Sequence, residues 1–184
     1  MKILIGCEES GVVRDAFLKK GHDAWSCDLK PTRRPGKHLQ MDVLKAIELK
    51  SWDKAIFFPD CTFLCSSGMH WTTRGLRPIE KTYEAVEFVL RLWNCGIKSI
   101  AVENPVGVLS TKFCKPSQII QPNEFGEDAS KETCLWLKGF PLLQPTCYIP
   151  PRMVNGKPDG QQSKPPGTVP DAGARPGGNL SGNC

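Results

Sequence analysis

The sequence predicts an α/β domain whose mostly parallel sheet is flanked by helices. Three observations carry the prediction. Short apolar runs alternate along the chain with segments whose apolar residues recur at helical spacing, the pattern of strands separated by helices. The runs end abruptly in turn-forming residues, Gly6 after the first and Pro59 after the third. A chain of 184 residues also suffices for one domain that buries about 70% of its unfolded surface without a disulfide or metal staple.

In chain order, residues 2–5 are the first apolar run, and Val12, Val13, Ala16 and Phe17 follow at helical spacing until Gly21. Residues 22–28 read as a second strand ending in Asp28. A basic loop with Lys30, Arg33, Arg34, Lys37 and His38 comes next. Residues 55–58 form the third run, stopped by Pro59 and a turn-like stretch rich in Ser and Gly. Across 78–96, Ile79, Val86, Val89, Leu90 and Trp93 recur at helical spacing, with Pro at the start and Gly past the end. A buried-strand run at 99–102 delivers Glu103, Asn104 and Pro105 at its carboxyl end, and 133–137 reads as a further strand, with a helix the alternative for so short an apolar run. The composition changes near Pro150: the last 35 residues hold 7 Pro and 7 Gly and no aromatic side chain, too little apolar surface to offset the entropy of ordering. The expected organisation is a domain over 1–149 and a mostly disordered tail over 150–184.

The balance of 24 basic against 19 acidic residues, with 40% hydrophobic and 23% charged residues, excludes disordered, collagen-like and acidic chains. A charge of +5 permits contact with nucleic acid without demanding it. Nine cysteines, an odd number without any Cys-x-x-Cys, argue against a disulfide framework or zinc module, so free thiols are expected and no metal site. Cys7, Cys27, Cys95 and Cys134 read as small core residues, and most of Trp25, Trp71, Trp93 and Trp136 as packing. No apolar run approaches the ~18 residues of a membrane span and the start has no basic region before its apolar stretch, so a cytoplasmic protein is expected.

Open parallel sheets bind ligands beyond the carboxyl ends of their strands, and three polar clusters fall there: 6–11, 59–67 and 103–105. The loop Gly6-Cys7-Glu8-Glu9-Ser10-Gly11 is not Gly-x-Gly-x-x-Gly, and Val12-Val13 replaces the Lys-Ser/Thr of a phosphate loop. Its two carboxylates repel a pyrophosphate and suit a cationic ligand rich in hydroxyl and amino donors. Asp28, 22 residues after Gly6, has the place of an acid that grips a ribose. S-adenosylmethionine fits, with a ribose, an amino group and a sulfonium but no phosphate; a plain tight turn with Asp28 capping a loop is the alternative. Pro59-Asp60-Cys61-Thr62 sets a thiol in a turn after a strand. With Glu103 on a neighbouring strand end, it can act on a flat heterocycle, the thiol attacking carbon while the acid holds a ring nitrogen.

In order and spacing these segments resemble those of the DNA cytosine-5 methyltransferases, particularly the short prophage-type members. The likeness rests on the glycine loop at 6–11, the Pro-x-Cys loop at 59–62, the Thr73-Arg74-Gly75 segment and the Glu-Asn-Pro at 103–105, and it covers residues 1–147. It implies a Rossmann-like S-adenosylmethionine-dependent methyltransferase fold and methyl transfer to C5 of cytosine in DNA. By the same resemblance, Cys61 adds to C6, Glu103 engages N3 and Asn104 holds the Cys-bearing loop. Gly6, Glu8, Gly11, Asp28, Asp42 and Pro59 would form the cofactor site, with Asp28 and Asp42 on ribose and adenine. Arg33, Arg34 and Arg74 would hold DNA phosphates. Full-length members carry a separate target-recognition region, for which 184 residues leave no room, so a separate recognition partner is expected. Three features depart from the family. Asp60 stands where Pro precedes the nucleophile, and a carboxylate beside a thiol disfavours the thiolate. Ser117-Gln118-Ile119-Ile120-Gln121 replaces a Gln-x-Arg-x-Arg segment, and the closing apolar helix is missing. The alternatives are a catalytically silent nucleic-acid-binding relative and methylation of cytosine in RNA or a free nucleotide.

Overall fold

The structure, a computed structural model, describes residues 1–159. The tail expected over 150–184 therefore falls largely outside the described residues. β1 (Lys2–Gly6) shows why the first run is continuously apolar. Ile3 and Ile5 pack with Ala24 beneath Val13, Phe17 and Leu18 of α1 (Val12–Lys19), while Leu4 joins a larger cluster on the other face. A strand covered on both faces has no solvent side to alternate toward.

β2 (Asp23–Asp28), β3 (His38–Gln40), α2 (Val43–Leu49) and β4 (Lys54–Phe57) follow. α2 starts where the Asp42 carboxylate accepts from the Leu44 backbone N–H at 2.9 Å. After β4 the Ser- and Gly-rich stretch read as turn forms α3 (Ser66–Thr73), capped by the Cys65 sulfur accepting from Gly68 N–H at 3.2 Å. α4 (Ile79–Trp93) buries Thr82, Val86, Val89 and Leu92, spaced to share one helix face against the sheet. β5 (Ser99–Pro105) extends past the expected end at Val102, so Glu103 and Asn104 lie within the strand, opposite Leu135 and Cys134. α5 (Leu109–Lys112), β6 (Gln118–Ile120), a 3-10 turn at Pro122–Glu124 and β7 (Thr133–Lys138) complete the domain.

The seven strands run in the order β3-β2-β1-β4-β5-β7-β6. β1 to β5 are parallel, and β7 is antiparallel to both β5 and β6. The sheet is thus mostly parallel and flanked by helices, an α/β architecture compatible with a Rossmann-like fold. The chain winds outward from β1 to β3 and returns at β4, which makes the gap between β1 and β4 the point where a crevice opens at the carboxyl edge.

Part of the stretch whose composition reads as tail is built into the described structure. β8 (Met153–Val154) and β9 (Lys157–Pro158) pair as a hairpin. It is fastened to the 128–130 segment by Arg152 N–H to Asp128 O at 2.7 Å and Ser130 N–H to Asp159 O at 2.8 Å. Among the described residues no helix is long and apolar enough to cross a membrane.

Candidate functional site

Two clefts share a wall at the carboxyl edge of the sheet. The larger, about 530 Å³, lies at the β1/β4 gap and is lined by Cys7, Glu9, Asp28, Asp42, Asp60 and Lys30, with Leu29, Met41, Val43, Phe58 and Phe88 as its apolar walls. The smaller, about 250 Å³, holds Cys61, Glu103, Asn104, Lys131 and Pro59. Phe58 and Asp60 line both, so contents of the two clefts face each other across two side chains.

The larger cleft is strongly negative. Cys7, at φ 59 in the left-handed region, has its thiol pushed up to about 12, first by burial and then by the charges of Asp28, Cys27, Asp42 and Asp60. Cys7 is therefore a half-buried wall of the cleft rather than an ordinary core residue. Asp28 Oδ1 accepts from Lys30 N–H at 2.9 Å, so this carboxylate caps the basic loop as well as facing the cleft. Asp42 likewise faces it while capping α2.

Other residues expected at a cofactor serve the scaffold. Glu8 is turned into the protein: its Oε1 accepts from Ser10 Oγ at 2.6 Å and from Val13 N–H at 3.1 Å, and its Oε2 is buried without a partner. Its neighbour Glu9 lines the cleft instead and pairs with Arg33 and Lys30. Gly6 is a packing glycine, because a Cβ there would sit 2.6 Å from Phe57 Cδ1 and from Val43 Cγ2. Gly11, at φ 72, makes room for Arg14: a Cβ at Gly11 would approach its Nη2 to 2.6 Å, and one at Gly36 its Cζ to 2.7 Å. Arg14 is fully buried and donates to Ser26 Oγ, Asp15 Oδ1 and the carbonyls of Arg34 and Pro35, pinning the basic loop to the sheet. Pro59 lines the smaller cleft, not the larger one.

The Cys61 turn is held on several sides. Asn104, 1% exposed, donates through Nδ2 to Pro59 O at 2.9 Å. Arg77 Nη1 donates to Thr62 O at 3.0 Å, while Ser66 and Val108 N–H groups bond to Val106 O and Leu64 O. Asp60 Oδ1 accepts from Thr62 N–H at 2.8 Å and from Thr62 Oγ1 at 2.5 Å, closing a local turn. Burial pushes the Cys61 thiol up, the Asp60 and Glu103 charges push it further, and Lys131 pulls it down. Burial also raises the Glu103 carboxyl against the opposing pull of Lys131.

Of the residues the sequence singles out, the structure brings Cys61, Glu103, Asn104 and Pro59 together in one cleft and Asp28 and Asp42 in the other. Arg74 ends α3, exposed and lining neither, and Arg33 and Arg34 are engaged with Glu9 and Asp15. Both loop carboxylates are legible in the sequence, but the structure gives the cleft Glu9 in place of Glu8, and it adds Lys131 and Arg77, which the sequence does not announce. Lys131 reaches the cleft only because β7 runs antiparallel beside β5, which brings the residues before Thr133 next to Pro105. Among the described residues no group of three or more His, Cys, Asp or Glu is arranged to hold a metal ion. Comparison of the sequence with models of protein families and with curated proteins finds no match to either.

Proposed function

We propose that the chain transfers a methyl group from S-adenosylmethionine to C5 of cytosine in DNA through a covalent Cys61 adduct. The observation that carries this reading is the pair of clefts sharing Phe58 and Asp60, one negative and apolar-walled, the other holding a thiol and a carboxyl with a raised proton affinity. The larger cleft suits the cofactor by its donor set. Carboxylates of Asp28, Asp42, Glu9 and Asp60 accept from hydroxyl and amino groups and favour a positive charge, while Leu29, Met41, Val43 and Phe88 offer apolar surface to a purine. A phosphate-bearing nucleotide would meet the same carboxylates as repulsion. The methyltransferase form of the Rossmann-like fold belongs to the same proposal.

When bound, the cofactor supplies the methyl group as an electrophilic carbon. The chain's own residues prepare the base. Once the thiol proton of Cys61 has passed to water, Sγ bonds to C6, and the displaced electron pair makes C5 nucleophilic and places negative charge toward N3. Glu103, whose carboxyl burial makes a readier holder of a proton than an exposed carboxylate, serves as the acid that donates a proton to N3. Lys131, the cation in this cleft, offsets the developing charge. Once C5 carries the methyl group, water takes the C5 proton, the Sγ–C6 bond breaks with its electron pair returning to sulfur, and Glu103 recovers the proton from N3. Asn104 fixes the loop that aims Sγ.

A second reading, a catalytically impaired nucleic-acid-binding relative, is favoured by one observation: the Cys61 thiol is pushed up by burial and by Asp60. Incubation with S-adenosylmethionine and, separately, cytosine-containing DNA, RNA and free nucleotide, followed by mass spectrometry of the digested bases, separates the readings. The proposal expects 5-methylcytosine from DNA with wild type and none with Cys61→Ser. Methyl groups in RNA or nucleotide alone, or at the exocyclic nitrogen, would overturn it. DNA binding without product supports the impaired relative.

A further inference from the structure

At the amino-terminal edge of the sheet the charge reverses. Lys2 opens β1, Lys54 opens β4, Lys98 directly precedes β5 and Lys138 closes the antiparallel β7. The register sets Ile3 opposite Lys54, Lys54 opposite Ser99 and Ile100 opposite Lys138, so all four lysines share one rim. With neighbouring strands about 4.8 Å apart, the row is roughly 14 Å long. Lys50, at the end of α2, adds a fifth charge, its Nζ 3.4 Å from the centre of the Trp25 ring. Lys54 Nζ lies 4.5 Å from the Phe140 ring, and Lys138 Nζ donates to Trp93 O at 2.6 Å. Beside the row an open cleft of about 520 Å³ runs between Lys50 and Lys98.

None of these five lysines is in an ion pair among the described residues, whereas Lys30, Arg33, Arg34 and Lys37 of the basic loop each are. Three carboxylates share this edge with the five lysines, Asp53 lining the cleft and Asp23 feeling the charge of Lys50 as well as Lys37, so the lysines remain in excess. Asp53 accepts from the Lys2 backbone N–H at 2.7 Å, Asp23 is engaged by Lys37, and Glu48 stands in the last turn of α2. Rings or backbone carbonyls hold the ammonium groups of Lys50, Lys54 and Lys138 in place, and a row of like charges is suited to a linear polyanion, because such a ligand relieves the repulsion and releases its own counterions.

We propose that this lysine rim is a nucleic-acid docking surface that grips the phosphate backbone without reading sequence. Trp52, the ring nearest the cleft, is only 7% exposed, so base stacking on it is closed off and the contact is electrostatic. The rim stands apart from the Cys61 cleft by most of β5, from Lys98 to Glu103 or about 16 Å, and does not depend on methyl transfer. It therefore tethers a stretch of polymer other than the one facing Cys61.

The test is fluorescence anisotropy with a labelled duplex of arbitrary sequence, about 20 base pairs long, from about 50 to 200 mM salt and without cofactor. Wild type should bind with a slope of log affinity against log salt of about −4.5, from five phosphate contacts at about 0.9 each. The triple variant Lys2→Gln/Lys50→Gln/Lys98→Gln should flatten that slope by about 2.5, whereas Arg33→Gln/Arg34→Gln/Arg74→Gln, equal in charge, should leave it nearly unchanged. Should the triple rim variant not fold, Lys98→Glu alone should still weaken binding several-fold. Equal losses in both triple variants, unchanged binding in the rim variants, or no duplex binding by wild type would overturn the proposal. So would sedimentation with phosphatidylserine-rich vesicles in place of duplex binding. Because duplex binding is read without S-adenosylmethionine, the result stays separate from any failure of methyl transfer.

Discussion

Asp60 is the residue on which the chemistry turns, since it lines both clefts, closes the Cys61 turn through Thr62 and raises the thiol it precedes. Substituting Asn keeps an oxygen acceptor for Thr62 and removes the charge. In Asp60→Asn, alkylation of Cys61 followed against pH should titrate at lower pH than in wild type; an unchanged or higher midpoint would show that the carboxylate is not what opposes the thiolate. Asp60→Pro, which the family pattern suggests, is the less informative change because it also deletes the turn. Lys131→Met should act in the opposite sense and move the Cys61 midpoint upward, as the nearby cation is lost. The sequence makes Cys61, Glu103 and Asp60 legible because each sits at or near a strand end in a recognisable order. Lys131 is illegible, since nothing local announces that an antiparallel strand will carry it to the same cleft.

Among the elements, the strands that were legible are those covered on both faces, whose continuous apolar runs such as Ile3-Leu4-Ile5 admit few other readings. The three-residue β3 and β6 are too short to show a period, and α3, with sequence SSGMHWTT, is held by its Cys65 cap and its packing rather than by an apolar stripe. The glycine loop was legible as a loop but not in its purpose. Gly11 is there for α1 and for the buried guanidinium of Arg14, which its hydrogen bonds keep from yielding to a new Cβ. Gly11→Ala should therefore lower stability by about 2–4 kcal/mol, the sum of a left-handed alanine and an overpacked contact, read as a fall in the denaturant midpoint. Unchanged stability with loss of cofactor binding would assign Gly11 to the ligand instead.

For the molecule as a whole, one edge of the sheet gathers carboxylates and the other gathers lysines, a polarity that the overall charge of +5 conceals. Two thiols, Cys7 half-buried and Cys27 buried, tie stability to alkaline pH. Cys7 is raised to about 12 and Cys27 to about 11 from 9.0, so folding favours their neutral forms. That contribution is complete below pH 9.0 and is lost as pH rises from there through 11 and 12. The denaturant midpoint should accordingly hold level up to that point and then fall, less steeply in Cys7→Ala; equal slopes in the two proteins would contradict the assignment. S-adenosylmethionine at about 100 times its Kd should stabilise the fold by about 2.7 kcal/mol, and Asp28→Ala should reduce its binding energy by about 1.5–3 kcal/mol. The most direct test of the central claim is mass spectrometry of the protein after reaction with S-adenosylmethionine and DNA containing 5-fluorocytosine. Fluorine cannot leave C5 as a cation, so a competent chain stops with its sulfur still bonded to C6. An adduct is expected on the Cys61 peptide, abolished by Cys61→Ser and retained by Cys65→Ser. An adduct on another cysteine, or none from a folded protein that binds both DNA and cofactor, would contradict it.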